Sequence, residues 1–179
     1  MRVSHRIDDY KKELMLTMCG SADLVKAIDS QAPLKNADNT EGYDPRYPNT
    51  LVWNNIIPAL RIIGKTSTNI TQKRSDAYIL IGCDILNINK YNPTYAKYRV
   101  TFRILVHTNR MYVEGRAGTR LDWIYEELKE LFDGSQTIGF SEFELERRVE
   151  DVYDETFFVC DMTFYTDDLR HPVTKKKER

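Results

Sequence analysis

The sequence has few cysteines, no long apolar run and no excess of positive charge. Cys19, Cys83 and Cys160 lie far apart in apolar segments, without a CxxC pair, so we expect buried free thiols rather than a disulfide or a metal site. No window approaches the ~20 apolar residues that a membrane span needs, and residues 1–20 lack the unbroken apolar stretch of a signal peptide. We therefore expect a soluble protein that is made inside the cell.

The chain also lacks the side-chain groupings that bind metals or catalyse reactions. Its three histidines, His5, His107 and His171, lie in separate segments with no HExxH or Cys–His spacing, and no serine lies in a GxSxG motif. The formal net charge of -1 argues against a general nucleic-acid-binding protein, which usually has a basic excess. We predict no cofactor, no metal site and no catalytic residues.

What the sequence does contain suits one folded domain. Of its 179 residues, 41% are hydrophobic and 30% are charged, which allows both a core and a polar surface. We expect residues 1–169 to form a single α+β domain with a long polar loop at 30–55, which is rich in Asn, Asp, Gly and Pro. Loops of this length usually have a function, such as binding a partner. Residues 170–179 form a basic C-terminal tail.

Two helices are predicted before the long loop. Apolar residues recur every three or four positions over residues 6–19, which indicates an amphipathic helix. Ser21 is placed to cap a second, shorter helix over residues 22–28. The apolar segment at 53–63 is interrupted by Pro58 and predicts a short helix or turn that packs on the core.

Four strands are predicted, at 77–86, 96–107, 143–149 and 157–165. Apolar and polar residues alternate along the second and third strands, whereas the fourth is nearly all apolar, as is typical of a central strand that is covered on both faces. The second of these strands has the clearest pattern, and its apolar face consists of Tyr98, Val100, Phe102, Ile104 and Val106. A helix separates the two pairs of strands. A hairpin, a crossing helix and a second hairpin indicate an antiparallel or mixed sheet of about four strands, with helices on one face.

The stretch GRAGTR at 115–120 leads into the most strongly helical segment of the chain. It lacks the Lys–Ser/Thr pair of a phosphate-binding P-loop and the GxGxxG pattern of a dinucleotide site. We therefore predict a turn in which Thr119 caps the helix, and Gly134 ends it. The apolar stripe of this helix consists of Leu121, Ile124, Tyr125, Leu128, Leu131 and Phe132.

Trp123 does not belong to the apolar stripe of this helix. At 100° per residue it falls among charged residues, namely Arg120, Glu126, Glu127 and Glu130. A tryptophan on the polar face of a core helix indicates a second buried surface, which either another chain or a loop of the same chain provides. Trp123, Arg120, Glu127 and Glu130 are therefore candidate interface residues.

Charge is segregated between two predicted strands. A basic stripe lies on the polar face of strand 96–107 and consists of Lys97, Arg99 and Arg103. An acidic stripe lies on and before strand 143–149 and consists of Glu142, Glu144 and Glu146. If the strands are neighbours, the stripes form exposed salt bridges worth ~0.5 kcal/mol each. If the strands lie at opposite edges, the basic stripe of one subunit meets the acidic stripe of the next, and such a contact closes into a ring when its rotation allows.

Two other functions make specific demands on these residues. A metal-dependent enzyme of DNA metabolism would use Asp84 with the strand glutamates as magnesium ligands, which requires Asp84 within ~5 Å of Glu142 or Glu144. A small nucleic-acid-binding module would use the basic stripe, and its affinity would fall steeply with salt.

Several segments together resemble a family of small virion proteins. In chain order they are NTEGYDPRYPNTLVWNNIIPALRI, YILIGCDI, FRILVHTNRM, GRAGTRLDWIYEELKELFDG, SQTIGFSEFELE and FFVCDMTFYTDD. Over residues 22–168 they are similar to the tail-completion proteins of tailed bacteriophages, which include tail terminators and head–tail connectors, in the version carried by crAss-like phages.

The resemblance implies a tail-terminator-like α+β fold and a structural protein rather than an enzyme. It implies a hexameric or dodecameric ring in the tail or neck of the virion, assembled in the host cytoplasm around the DNA channel. The partners would be further copies and neighbouring portal, connector or tail proteins, while DNA passes without specific binding and no membrane takes part. In the long loop we add Tyr43, Arg46 and Tyr47 as candidate interface residues.

Overall fold

The computed structural model describes five ranges of the chain, which are 3–28, 56–57, 77–88, 96–136 and 141–168. The predictions for the long loop at 30–55, with Tyr43, Arg46 and Tyr47, and for the tail at 170–179 lie outside these ranges. No helix within the described ranges has the length and apolarity to span a membrane.

The described ranges form three helices and five strands. The helices are α1 (Val3–Gly20), α2 (Ala22–Ile28) and α3 (Arg120–Phe132). The strands are β1 (Ile56–Ile57), β2 (Ala77–Ile88), β3 (Ala96–His107), β4 (Glu144–Val152) and β5 (Phe157–Asp168). They form one sheet in the order β1-β2-β3-β5-β4, in which β1 and β2 are parallel and the other pairs are antiparallel. The predicted α+β fold is confirmed, with a mixed sheet of five strands.

The helices pack on one face of the sheet, which we call the core face; the opposite face is the second face. The predicted apolar face of β3, from Tyr98 to Val106, is buried on the core face. The buried apolar residues of α3 face it and are Leu121, Ile124, Tyr125, Leu128 and Phe132. The apolar residues that recur every second position in β3 and every 3.6 positions in α3 therefore pack against each other in one core.

An aromatic cluster joins α3 to the centre of the sheet. The ring centroids of Phe102 on β3 and Phe132 on α3 lie 5.0 Å apart, and Phe164 on β5 lies 5.5 Å from Phe102. Phe143, just before β4, lies 5.8 Å from Phe164. These tilted pairs contribute beyond the apolar area that they bury, so the cluster fixes the position of the helix on the sheet.

Both predicted ends of α3 are confirmed. The backbone N–H of Asp122 donates to the Thr119 hydroxyl at 3.2 Å, and the backbone N–H of Thr119 donates to the Asp122 carboxylate at 3.1 Å. This reciprocal capping box satisfies amides at the start of the helix. After the last turn, Gly134 adopts a φ of 75°, a conformation that glycine reaches without steric cost.

One local prediction is wrong in the described part of segment 53–63. Ile56 and Ile57 form a strand parallel to β2, opposite Ile79 and Leu80, rather than a helix or turn. Ile56 packs in the main core and Ile57 packs against a second cluster on the other face. Pairing with β2 and burial on both sides therefore outweigh the local signal from Pro58, because β-branched side chains fit a sheet that is covered on both faces.

The second face has its own apolar cluster at one end. It comprises Tyr78, Leu80, Leu105, Phe157 and Val159, with Ile57 packed against it. The three cysteines are free and buried, as predicted. Burial raises the pKa of Cys83 to about 12 and that of Cys160 to about 11, so both thiols stay protonated at neutral pH.

Candidate interaction surfaces

Arg120 is buried, and its predicted position on an exposed polar face is wrong. Only 8% of the residue is accessible to solvent. Its Nε donates to the carbonyl oxygen of Arg110 at 2.8 Å, and its Nη1 donates to that of Ala27, also at 2.8 Å. Ala27 lies in the last turn of α2, whose carbonyls lack partners within the helix. Arg120 therefore ties α2 and the 3₁₀ turn at Thr108–Arg110 to the start of α3.

Trp123 is half-buried and packs against the core cluster. Its Nε1–H donates to Glu127 at 2.9 Å, and the guanidinium of Arg116 lies 4.2 Å from the ring centroid. Arg116 belongs to the segment that precedes α3, so a loop of the same chain covers part of the indole. Glu130 is exposed further along the helix. Trp123 and Glu127 thus have partners within the chain.

The basic stripe lies on β3, in the middle of the second face. Arg99 pairs with Asp84 of β2 at 3.0 Å, and Arg103 pairs with Asp161 of β5 at 2.7 and 2.8 Å. The hydrogen bonds that Arg103 donates to the Asp161 carboxylate raise the pKa of the guanidinium. Lys97 lies 4.9 Å from the ring centroid of Tyr165 on β5. Each cation of the stripe is therefore held by the strand next to it.

The acidic stripe lies at the sheet edge formed by β4. Glu142 is exposed just before the strand, and Glu144 lies opposite Tyr165. Glu146 occupies a β-bulge, and its hydrogen bond with Tyr165 raises the pKa of the tyrosine hydroxyl. Tyr165 thus contacts both stripes, because it lies between Lys97 and Glu146.

Neither strand arrangement considered from the sequence describes the two stripes. β5 separates β3 from β4, so the strands are not neighbours, and β3 is central, so they do not lie at opposite edges. The partners of the arginines are aspartates on β2 and β5 instead of the glutamates of β4. Alternation within one strand shows which face a charge lies on, whereas strand order decides which charge it meets.

The carboxylate pair that a magnesium enzyme would need is not formed. Asp84 lies on β2, whereas Glu144 lies on β4, and β3 and β5 run between them. Three interstrand spacings of ~4.8 Å separate the two strands, well beyond the ~5 Å that one metal ion requires. In the described ranges, no three His, Cys, Asp or Glu side chains come together to bind a metal ion.

Exposed large hydrophobic side chains lie around one end of the sheet, with Val152 and Phe158 on the core face and Tyr153 on the second face, and we call this group the hairpin-end patch. It consists of Tyr112, Val152, Tyr153 and Phe158. Val152 and Phe158 lie opposite each other at the end of the β4–β5 hairpin. Tyr112 follows the 3₁₀ turn, whose first residue, Thr108, donates to the carbonyl of Thr156 in the hairpin connection at 2.9 Å. Large apolar side chains grouped at one end of a domain are typical of an interaction site.

The family to which the chain belongs follows from its sequence pattern. The pattern of the YomW family matches residues 21–166, from Ser21 before α2 to Thr166 near the end of β5. The chain belongs to the YomW family. The family carries the name of a phage-derived gene, which indicates a phage-related protein. No curated protein and no solved structure matches the chain.

The features of this YomW-family chain that sequence analysis missed lie in the hairpin-end patch. The segment VYDET, which includes Val152 and Tyr153, is polar on average, and this composition predicts only a turn. Its exposed side chains are two of five large hydrophobic residues that are open to solvent in the described ranges. An apolar pair at the end of a charged strand was the available signal, but only the sheet shows that Phe158 and Tyr112 lie at the same end.

Proposed function

We propose that the protein is a structural component of a phage virion, and that it forms a homo-oligomeric ring at the head–tail or tail junction around the DNA channel. Three findings support this function: the chain belongs to a phage-related family, its segments resemble tail-completion proteins, and its fold is α+β. The function is assembly, in which each copy binds the next and the ring offers a surface to neighbouring virion proteins.

The observation that carries the proposal is the hairpin-end patch. Tyr112 is 78% exposed, and Tyr153 and Phe158 are also exposed. Aromatic side chains supply large contact area with little loss of conformational freedom, and they are enriched at the centres of interfaces. At the start of β5, Phe157 packs in the apolar cluster of the second face, with its ring centroid 6.1 Å from that of Tyr78. This contact holds the end of the hairpin that carries Val152, Tyr153 and Phe158 against the sheet.

The charged side chains of the second face form ion pairs within the sheet. Arg99 pairs with Asp84, and Arg103 pairs with Asp161, so that each arginine charge is neutralised by an aspartate. When another subunit binds at the patch, it therefore does not meet unpaired arginine charges on the second face. The ring we propose is held mainly by apolar contacts, and its stability should depend only weakly on salt concentration.

Removal of two aromatic rings from the patch tests this function. We expect Tyr112→Ser/Tyr153→Ser to weaken ring formation about 10-fold or more, because truncation of aromatic anchors at an interface commonly costs over 1 kcal/mol each. Multi-angle light scattering would give the mass of the assembly, and negative-stain imaging would show whether rings form.

The matched control is Leu86→Ser, at the opposite end of β2, where the side chain is 43% exposed. It should leave the ring intact. A wild-type protein that is strictly monomeric, alone and with neighbouring virion proteins, would contradict the proposed function. So would an equal effect of the control and the double variant.

A further inference from the structure

β4 forms one edge of the sheet, and its outer side has no neighbouring strand in the part of the chain that the structure describes. Its inner side pairs with β5. The bulge at Glu146 interrupts the pairing, but from Arg147 opposite Thr163 to Val152 opposite Phe158 the register is regular. A segment of regular strand with an open edge is a template for a further strand.

The backbone groups of this segment alternate between β5 and the open edge. The N–H of Tyr153 donates to the carbonyl of Phe157 at 2.9 Å. In an antiparallel pair the bonded residues alternate, so Val149 and Asp151 bond to β5, whereas Arg148 and Glu150 direct their N–H and C=O groups outward. The N–H of Val152 agrees with this pattern, because it donates to the side chain of Asp151 at 2.8 Å.

The charges of the segment are ordered antisymmetrically about Val149. The sequence Arg-Arg-Val-Glu-Asp at 147–151 places two cations before the valine and two anions after it. Reversal of the chain direction exchanges the two signs. A strand with this property is complementary to a second copy of itself that runs antiparallel.

We propose that β4 pairs with β4 of a second copy of this chain, antiparallel, with the two Val149 residues opposite each other. Arg148 then lies opposite Glu150 of the second copy, and Arg147 lies opposite Asp151 of the second copy. The first pair uses the outward-directed backbone groups, so the same register satisfies the hydrogen bonds and the charges. The resulting contact is two-fold symmetric, with the same patch on both copies.

Neighbouring registers bring like charges together. In a two-fold antiparallel pair, odd-numbered residues lie opposite odd-numbered residues and even-numbered residues lie opposite even-numbered residues. The reason is that two side chains that lie opposite each other are on the same face of the sheet. Centring on Arg148 would place two arginines face to face and Glu146 opposite Glu150. Centring on Glu150 would place two glutamates face to face. Only the Val149 centre pairs opposite charges on both sides.

The side chains on the core face fit the same arrangement. Arg148 contacts Asp122 at 2.6 Å, stacks 4.0 Å from the centroid of Tyr125, and also pairs with Glu150 of its own strand. In the paired sheet, the two copies of Arg148 and Glu150 form a square in which every neighbour has the opposite charge. Arg147, by contrast, has no ion pair within the described residues, and the second copy supplies one.

This contact differs from the ring contact at the hairpin-end patch and does not depend on it. A ring is built from contacts that lead from one copy to the next, whereas this contact joins copies in pairs. Two rings placed back to back would use both.

A single cysteine tests the register. Opposite residues at a non-hydrogen-bonded position have Cα atoms about 4.5 Å apart, within the range of a disulfide. We expect Val149→Cys to give a disulfide-linked dimer under mild oxidation on a non-reducing gel, since the native thiols are buried. Asp151→Cys should not cross-link, because four residues along the strand separate its two copies by ~13 Å. A monomeric Val149→Cys, or equal cross-linking of both variants, would overturn the proposal.

Charge reversal tests the complementarity. Arg147→Glu and Asp151→Arg each place like charges opposite one another at two symmetry-related positions. Each should raise the dimer dissociation constant about 10-fold or more in analytical ultracentrifugation. The double variant Arg147→Glu/Asp151→Arg restores opposite charges in every pair and should restore the dimer.

Lys12→Glu changes the net charge as much as Arg147→Glu does, and Glu155→Arg changes it as much as Asp151→Arg does. Both controls lie outside the paired segment, so they should leave the dissociation constant of the dimer unchanged. The pairing would be refuted if the double variant dimerised as weakly as the single variants. It would also be refuted if Lys12→Glu or Glu155→Arg weakened the dimer as much as the single variants do. The outcome is separable from the proposed function, because the cross-link reports on β4, whereas Tyr112→Ser/Tyr153→Ser reports on the ring.

Discussion

At the scale of single residues, Arg120 is a charged side chain that is buried, with 8% of the residue exposed to solvent. A buried guanidinium is tolerated only when its donors are satisfied. Here they bond to the carbonyls of Ala27 and Arg110. These carbonyls come from two segments far apart in the chain, so the arginine is a structural link between them.

Loss of this link should be costly. We expect Arg120→Met to lower the free energy of unfolding by about 3 kcal/mol, because it leaves two carbonyls without their charged donor. Chemical denaturation followed by circular dichroism would measure it. Arg116→Met is the matched control, since it removes an exposed guanidinium that stacks on Trp123, an interaction worth about 0.5–1 kcal/mol. Equal losses for the two variants would contradict a linking role for Arg120.

At the scale of elements, the start of α3 is fixed twice. Asp122 accepts hydrogen bonds from Thr119 and forms an ion pair with Arg148 of β4. The helix cap is therefore also a contact to the edge strand. The hydrogen bond from the Thr119 hydroxyl, together with Arg148, holds the pKa of Asp122 below its usual value.

This pKa shift makes the cap sensitive to acid. A carboxylate with a lowered folded-state pKa contributes stability above its unfolded pKa, about 3.9, and loses that contribution as the pH falls through the folded value. We expect Asp122→Asn to cost about 1 kcal/mol at neutral pH, and the difference from wild type to disappear on acidification. Urea denaturation from pH 7 to pH 2 would show it.

The control for this experiment is Glu126→Gln on the exposed side of α3, which removes a carboxylate that does not cap the helix. It should cost less than Asp122→Asn at neutral pH. A constant difference between Asp122→Asn and wild type at all pH values would show that packing, rather than charge, accounts for the effect.

At the scale of the whole molecule, the aromatic cluster joins the helical layer to the sheet. Phe132 contacts Phe102 of β3, Phe143 before β4 and Phe164 of β5. We expect Phe132→Ala to lower the free energy of unfolding by about 3–5 kcal/mol through the cavity that it leaves. Phe132→Leu keeps most of the volume and should cost about 1.5 kcal/mol. Thermal unfolding followed by calorimetry would compare them, and similar losses would place Phe132 outside the rigid core.

Much of the fold was predictable because it rests on local periodicity. The bounds of β3, the cap at Thr119, the stop at Gly134 and the buried cysteines all agree with the structure. Each depends on residues that are adjacent or one helical turn apart. The short strand Ile56–Ile57 was not predictable in the same way, because its partner, β2, lies about 20 residues further along the chain.

The sequence by itself determined which residues face inward and where α3 begins and ends, since alternation, helical spacing and capping act between near neighbours. It also set the antisymmetric charge order at 147–151. Only the tertiary structure decided that β5 separates the two charged stripes, that Arg120 is buried, and that β4 lies at one end of the order of described strands. Those outcomes depend on strand order and on contacts between distant segments, and no local pattern encodes them.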